Sequence, residues 1–136
     1  MSKFTIHKVD PEKDLPDISM LREESVSDGF RFLSRLENDY KDGTNRFLLE
    51  GEGLWYVMDP FNEVIAIGGL NSQGFLCGDS HIGRLRRFYV KRAERRNGIG
   101  TMLLHQIIVA AADSFDLIVL FTDTKEAAQF YERHGF

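Results

Sequence analysis

Apolar residues recur along this chain with two different periods. Residues 54–58 and 64–70 are short runs of apolar, β-branched or aromatic side chains. Asp59, Pro60, Phe61 and Asn62 between them have the composition of a hairpin loop, so the two runs are predicted to pair as antiparallel strands. After a glycine-bearing connection at 74–79, residues 81–90 read as a long strand. Its apolar phase slips between Leu85 and Phe88, which predicts a bulge. The helical period takes over next: Ile99, Leu103 and Ile107 recur every four residues, with Met102 and Ala110 beside them, and predict a helix over 98–112. Residues 117–121 form a continuous apolar run of strand length, the pattern of a parallel strand covered on both sides. A final helix over 125–134 is predicted to stop at Gly135, a favoured position for a left-handed cap.

The front of the chain is less regular. Residues 5–9 read as a first strand, and Asp10, Pro11 and Pro16 punctuate the entry to a helix over 17–25. A second helix follows Asp28, with Phe32, Leu33 and Leu36 spaced to bury one stripe, and ends before the turn at Asp42 and Gly43. The sum is an α/β chain with a mixed central sheet flanked by helices: strand, helix, strand, helix behind an antiparallel front half.

Composition narrows the class. With 136 residues, 43% hydrophobic and 28% charged, the chain fits one soluble domain over 1–136 with one core. Its net charge of −4 gives no general pull toward nucleic acid or an anionic membrane, so neither is an expected partner, and any phosphate site must be local. Cys77 is the only cysteine, which excludes an internal disulfide and fits a reducing, cytoplasmic setting. The first residues lack a signal-peptide hydrophobic region, and the longest apolar stretches are far too short to span a bilayer. His7, His105 and His134 lack ligand spacing, and no metal is predicted.

The candidate chemistry lies between the long strand and the helix after it. There Arg95, Arg96, Asn97, Gly98, Ile99, Gly100 and Thr101 carry the chain into a helix N-terminus, where backbone N–H groups lack partners and partial positive charge collects. Glycines let that backbone approach an anion closely, which makes phosphate the natural ligand. Arg92, Arg95 and Arg96 add cations at the end of a helix where they do nothing for its own stability. A P-loop would need a lysine after the glycine, and a dinucleotide fingerprint would need glycine or alanine at Leu103; both fail.

Arg95, Gly98 and Gly100 meet the pattern Q/R-x-x-G-x-G/A, preceded by a strand through Arg86, Arg87, Phe88, Tyr89 and Val90. Downstream, Phe130, Tyr131, Gly135 and Phe136 complete F-Y-x-x-x-G-F. On these two linked motifs the chain resembles the GNAT superfamily of acetyl-CoA-dependent N-acetyltransferases, specifically over residues 64–136. The resemblance implies that the strands ending at Val90 and Phe121 splay apart and admit the pantetheine arm of acetyl-CoA. Phe88, Tyr89 and Val90 would then pair with that arm, and the amides from Arg95 to Thr101 would hold the pyrophosphate. An amide near Phe88 or Tyr89 would polarise the thioester carbonyl, and Tyr131 would protonate the departing thiolate. The implied reaction is direct transfer of acetyl to a primary amine, first of all one on a small molecule. A protein N-terminus or lysine is the alternative acceptor, and a non-catalytic acyl-CoA-binding or regulatory module is the alternative from another class.

Three positions depart from the family pattern. Arg84 stands where many members carry a glutamate base, and a guanidinium cannot serve as base at neutral pH; it could instead bind a substrate carboxylate. His81 and Asp79 lie nearby, the histidine expected to be an idle, exposed hairpin residue. Thr124 replaces a common asparagine that contacts the coenzyme, and can still offer a hydroxyl and cap a helix. The sequence ends at Phe136, where the family continues into further strands. The expectation is an apolar edge on the strand from Leu117, covered by a homodimer. The aromatics Phe30, Phe32, Phe47, Trp55 and Tyr56 are expected in the core, and Glu23, Glu24, Asp28, Asp39 and Asp42 on the surface.

Overall fold

The computed structural model describes residues 3–75, 80–122 and 124–136; Cys77 and Asp79 lie outside the described residues. Five strands form one sheet in the order β1-β2-β3-β4-β5. They are β1 (Thr5–Lys8), β2 (Gly53–Met58), β3 (Val64–Phe75), β4 (His81–Val90) and β5 (Leu117–Leu120). The first four pair antiparallel in sequence order, and β5 joins β4 in parallel. The helices are α1 (Ser19–Ser27), α2 (Phe32–Asp42), α3 (Ile99–Ala111) and α4 (Lys125–Arg133). No helix among the described residues is long and apolar enough to cross a membrane.

Period-2 alternation divides the sheet into two faces, each with its own core. On one face Trp55, Val57, Ile65, Leu70 and Leu85 pack with Leu103, Leu104 and Ile107 of α3 and with Tyr131 of α4. On the other, Leu54, Val64, Ile67 and Tyr89 pack with Leu21 of α1 and Leu33, Leu36 and Tyr40 of α2. Trp55 and Phe47 are buried, and Phe30, Phe32 and Tyr56 half-buried, as expected of core aromatics.

The bulge in β4 controls which side chains reach which face. Ile67 pairs with Tyr89 and Gly69 with Arg86, so two steps along β3 match three along β4. The extra residue is Arg87, held at φ 60°, a left-handed conformation uncommon outside glycine. Without it, Phe88 and Tyr89 would exchange faces.

Three expectations need adjustment. β3 runs on to Phe75, five residues past its predicted end at Leu70, because Asn71 and Ser72 still pair with Arg84 and Gly83 of β4. The first helix runs two residues later than predicted, with the Asp17 carboxylate accepting from the Ser19 amide just before its first turn. β5 is not covered on both sides: it is the sheet edge, with Ile118 and Leu120 packed on the core while Leu117 and Phe121 are exposed.

Candidate active site

β4 and β5 are in register from Ile82 with Leu117 to Leu85 with Leu120, and no pairing continues beyond that point. β4 itself runs on to Val90, still paired to β3. Its far edge is therefore free of strand partners over residues 86–90, and a fork opens between the two strands. Lys91 donates its amide to Ile65 across β3. By strand alternation the backbone groups of Phe88 and Val90 then point into the fork, and those of Tyr89 toward β3. Of the three residues expected to pair with a pantetheine arm, Tyr89 is thus turned away. The Val90 carbonyl already accepts from Arg95 Nε at 3.0 Å.

Past Val90 the chain makes a short 3-10 turn over Arg92–Glu94 and enters α3 through Gly98 at φ 81°. No side chain caps this N-terminus, so its first amides are available to a ligand. A Cβ on Gly98 would meet nothing within 4 Å, so the space in front of the turn is open. A Cβ on Gly100 would come within 3.3 Å of Phe130 and 3.4 Å of Val90, which sets how closely α3 approaches α4 and β4. Arg96 and Asn97 are exposed on the turn, and Ile99 is buried beneath it.

The arginines of this turn are not all free, contrary to expectation. Arg92 is held by the Asp28 carboxylate of the α1–α2 connection, and Arg95 lies 3.8 Å from the same carboxylate and over the Tyr89 ring. The Arg95 amide bonds Arg92 O inside the 3-10 turn, which takes it out of the expected set of pyrophosphate donors. Arg96 has no ion-pair partner among the described residues. Glu24 and Asp28, expected on the surface, form a latch instead: the Tyr89 hydroxyl donates toward both carboxylates at 2.7 and 3.1 Å, and the Arg92 amide donates to Glu24 at 2.8 Å. Burial, then the bond to Glu24, push the Tyr89 phenol well above its ordinary pKa. For Asp28, partial burial opposes ionisation, but the bonds from Arg92 and Tyr89 outweigh it and leave the carboxyl below its usual range.

Tyr131 sits on the α3/α4 side of the fork with 9% of its surface exposed, its ring edge-on to Phe88 at 5.9 Å. Its hydroxyl has no hydrogen-bond partner among the described residues, and burial raises its pKa. Thr124 caps α4, accepting from the Ala127 amide at 3.2 Å, and Thr101 joins α3 to α4 through His134 at 3.0 Å. His81 is neither exposed nor idle: its ring nitrogens reach Ser72 Oγ and Ser114 O at 2.7 and 2.8 Å, and it packs on Phe115. It is a structural tie between β3, β4 and the start of β5.

On the α1/α2 side of the same fork stands a group that was only partly anticipated. Arg84 and Arg86 are two apart and so share a face, and the bulge turns Arg87 to the same side, 3.5 Å from Asp39 of α2. The Nε atoms of Arg84 and Arg86 are shielded from solvent and have no hydrogen-bond partner among the described residues; an unmet buried donor of this kind costs about 1–3 kcal/mol. The Arg84 guanidinium lies 4.7 Å from the Phe121 ring, at the point where β5 leaves β4. Burial, then the neighbouring Arg86, push the Arg87 guanidinium down to about 10. The spacing of Arg84 and Arg86 within an otherwise apolar strand was the available signal. The role of Asp39, expected to be mere surface, had none.

A parallel strand pair whose pairing stops at Leu85 and Leu120, with an uncapped glycine-led helix after the inner strand, is the arrangement that the resemblance implied. Residues 50–136 match the family described as Acetyltransferase (GNAT) domain, and the chain belongs to that family; it is an acyltransferase. A candidate acetyltransferase from Exiguobacterium sp. 255-15 is similar, with 30% identity, a TM-score of 0.82 and coverage of 98% of this chain and 85% of that one. Two more distant structures share the fold. One, from Clostridium acetobutylicum, is described as an acetyltransferase with acetyl-CoA, at 20% identity, TM-score 0.74 and coverage of 98% and 90%. The other is glucosamine-6-phosphate N-acetyltransferase from Arabidopsis thaliana, at 16% identity, TM-score 0.68 and coverage of 98% and 91%. Comparison with curated proteins finds no match.

Proposed function

We propose that the protein transfers acetyl from acetyl-CoA to a primary amine by direct attack, with the coenzyme in the fork between β4 and β5. The observation that carries this is the end of β4–β5 pairing at Leu85 and Leu120, which leaves the rest of β4 unpaired on that edge as the chain leads on to the uncapped start of α3. The amides from Asn97 to Thr101 and the exposed Arg96 receive the pyrophosphate. Phe88 and Val90 offer backbone groups to the pantetheine arm as an added strand would, and the Phe88 amide faces the thioester carbonyl. Thr124, whose oxygen already caps α4, retains a hydroxyl proton for a further contact.

The neutral amine nitrogen attacks the acetyl carbonyl carbon, the C–S bond breaks, and the sulfur takes a proton from the Tyr131 hydroxyl. Burial keeps this phenol protonated at neutral pH, and the same desolvation raises the proton affinity of a thiolate formed beside it. The tyrosinate regains a proton from the ammonium-like product nitrogen through solvent, which closes the cycle. The acceptor is first of all a small-molecule amine. Thiol release over a panel of amines, with product mass spectrometry, tests the reading. It predicts a mass gain of one acetyl group on an amine nitrogen; thioester hydrolysis without amide formation contradicts it.

A further inference from the structure

We infer that the acceptor amine carries an oxyanion group, which Arg84 and Arg86 grip on the α1/α2 side of the fork while the amine reaches the reacting end. This rests on the acetyl-transfer reading and narrows its substrate class.

Arg84, Arg86 and Arg87 lie within four consecutive residues of β4 and turn to one face, and Arg35 of α2 adds to the charge felt by Arg87. Among the described residues, the carboxylates whose charge Arg86 feels are Asp39 and Glu52. Asp39 is 3.5 Å from Arg87, and the Arg87 side chain is 9% exposed. Glu52 is already engaged, accepting from the Asn71 side chain and the amides of Ser72 and Leu49 at 2.7 to 3.0 Å. Among the described residues the face therefore holds more positive charge than its own carboxylates balance, in a chain whose net charge is −4. Like charges in a partly desolvated space are unfavourable unless an anion joins them.

The hydrogen-bond pattern says which kind of anion. A guanidinium meets a carboxylate or phosphate side-on through Nε and one Nη. Nε is the atom left without a partner among the described residues in both Arg84 and Arg86, and in both it is shielded from solvent, so an anion reaches it by displacing a neighbouring side chain. Neighbouring side chains pack around both guanidinium groups. Phe47 lies over Gly69 opposite Arg86, close enough that a Cβ on Gly69 would meet its ring at 2.8 Å. Asn45 and Asn71 bond each other at 2.9 and 3.1 Å beside Arg84, whose strand partner is Asn71. Phe121 closes the outer end by packing on Arg84. The cluster stands beside the last β4–β5 pair, so an anion there lies at the mouth of the fork.

Matched acceptors test this: glycine against glycinamide, β-alanine against β-alaninamide, and phosphoethanolamine against ethanolamine, each followed by thiol release. At least one anionic member is expected to exceed its neutral partner by about a hundredfold in kcat/KM, mostly through KM, as a bidentate charged contact implies. Whether the carboxylates or the phosphate lead identifies the oxyanion. Arg86→Gln should shrink that preference to a few-fold, and Arg86→Lys should restore only part of it, while thermal stabilisation by acetyl-CoA persists as evidence of an intact fold. Neutral amines used as well as their anionic partners, or a preference untouched in Arg86→Gln, would overturn the inference while leaving acetyl transfer standing. If no amine releases thiol, calorimetric titration of the same compounds in the presence of CoA still decides it. Heat from the anionic members that Arg86→Gln abolishes supports the site, and its absence refutes it.

Discussion

Burial holds the Tyr131 phenol in its protonated form, and this sets the direction of the proton step it can serve. A group whose pKa is raised by desolvation is an acid in waiting rather than a base at neutral pH. Tyr131→Phe removes one oxygen from a packed ring, so the fold should persist while kcat falls by about a hundredfold or more. Stopped thiol-release assays against a thermal melt separate the two effects; unchanged turnover at all pH values would remove Tyr131 from the mechanism. Asp28 makes a prediction of opposite sense. Its folded carboxyl ionises more readily than in the unfolded chain. Its contribution to stability is therefore present above the ordinary aspartate value of about 3.9 and is lost as pH falls through the lower folded value. Asp28→Asn should flatten the acid side of a plot of melting temperature against pH. Equal slopes for the two proteins would show that the latch to Arg92 and Tyr89 carries no linkage.

Whole elements follow from patterns of different clarity. The four-residue recurrence of Ile99, Leu103 and Ile107 places α3 correctly because the helix buries a broad face, and Leu103→Ala should destabilise the domain by about 2–5 kcal/mol in denaturant titration. Thr124 acts as the sequence allows, as an N-cap; Thr124→Ala should lower stability by about 1 kcal/mol. The bulge was visible as a slip of phase between Leu85 and Phe88, and the structure adds that Arg87 is the residue inserted. What could not be seen is the α1–α2 latch. Glu24 and Asp28 lie more than sixty residues from Tyr89 and Arg92, and a charged residue on a short helix carries no local mark of a distant partner. For the same reason Arg92 and Arg95 read as free cations aimed at phosphate, when Asp28 already holds the first and lies near the second. His81 misled in the other direction, since its partners Ser72 and Ser114 meet it only when β3, β4 and the approach to β5 assemble.

At the scale of the molecule, the sheet divides the labour. One face, with α3 and α4, offers the uncapped helix start and Tyr131; the other, with α1 and α2, offers the arginines of β4; the fork between β4 and β5 joins them. The fold and the uncapped, glycine-led start of α3 were legible because both depend on short-range signals, glycine positions and apolar periods. The proposed acceptor half depends on side chains brought together from β3, β4, α2 and the segment around Asn45. The central claim is that this fork binds acetyl-CoA. A ligand that binds only the folded state stabilises it by about 2.7 kcal/mol at a hundredfold excess over its Kd, which for a domain of this size raises Tm by roughly 5–15 °C. The deciding measurement is the melting temperature across a concentration series of acetyl-CoA, with CoA and ATP in parallel. The account predicts a concentration-dependent rise with acetyl-CoA and with CoA that ATP does not match. No shift with either CoA species, or an equal shift with ATP, would contradict it.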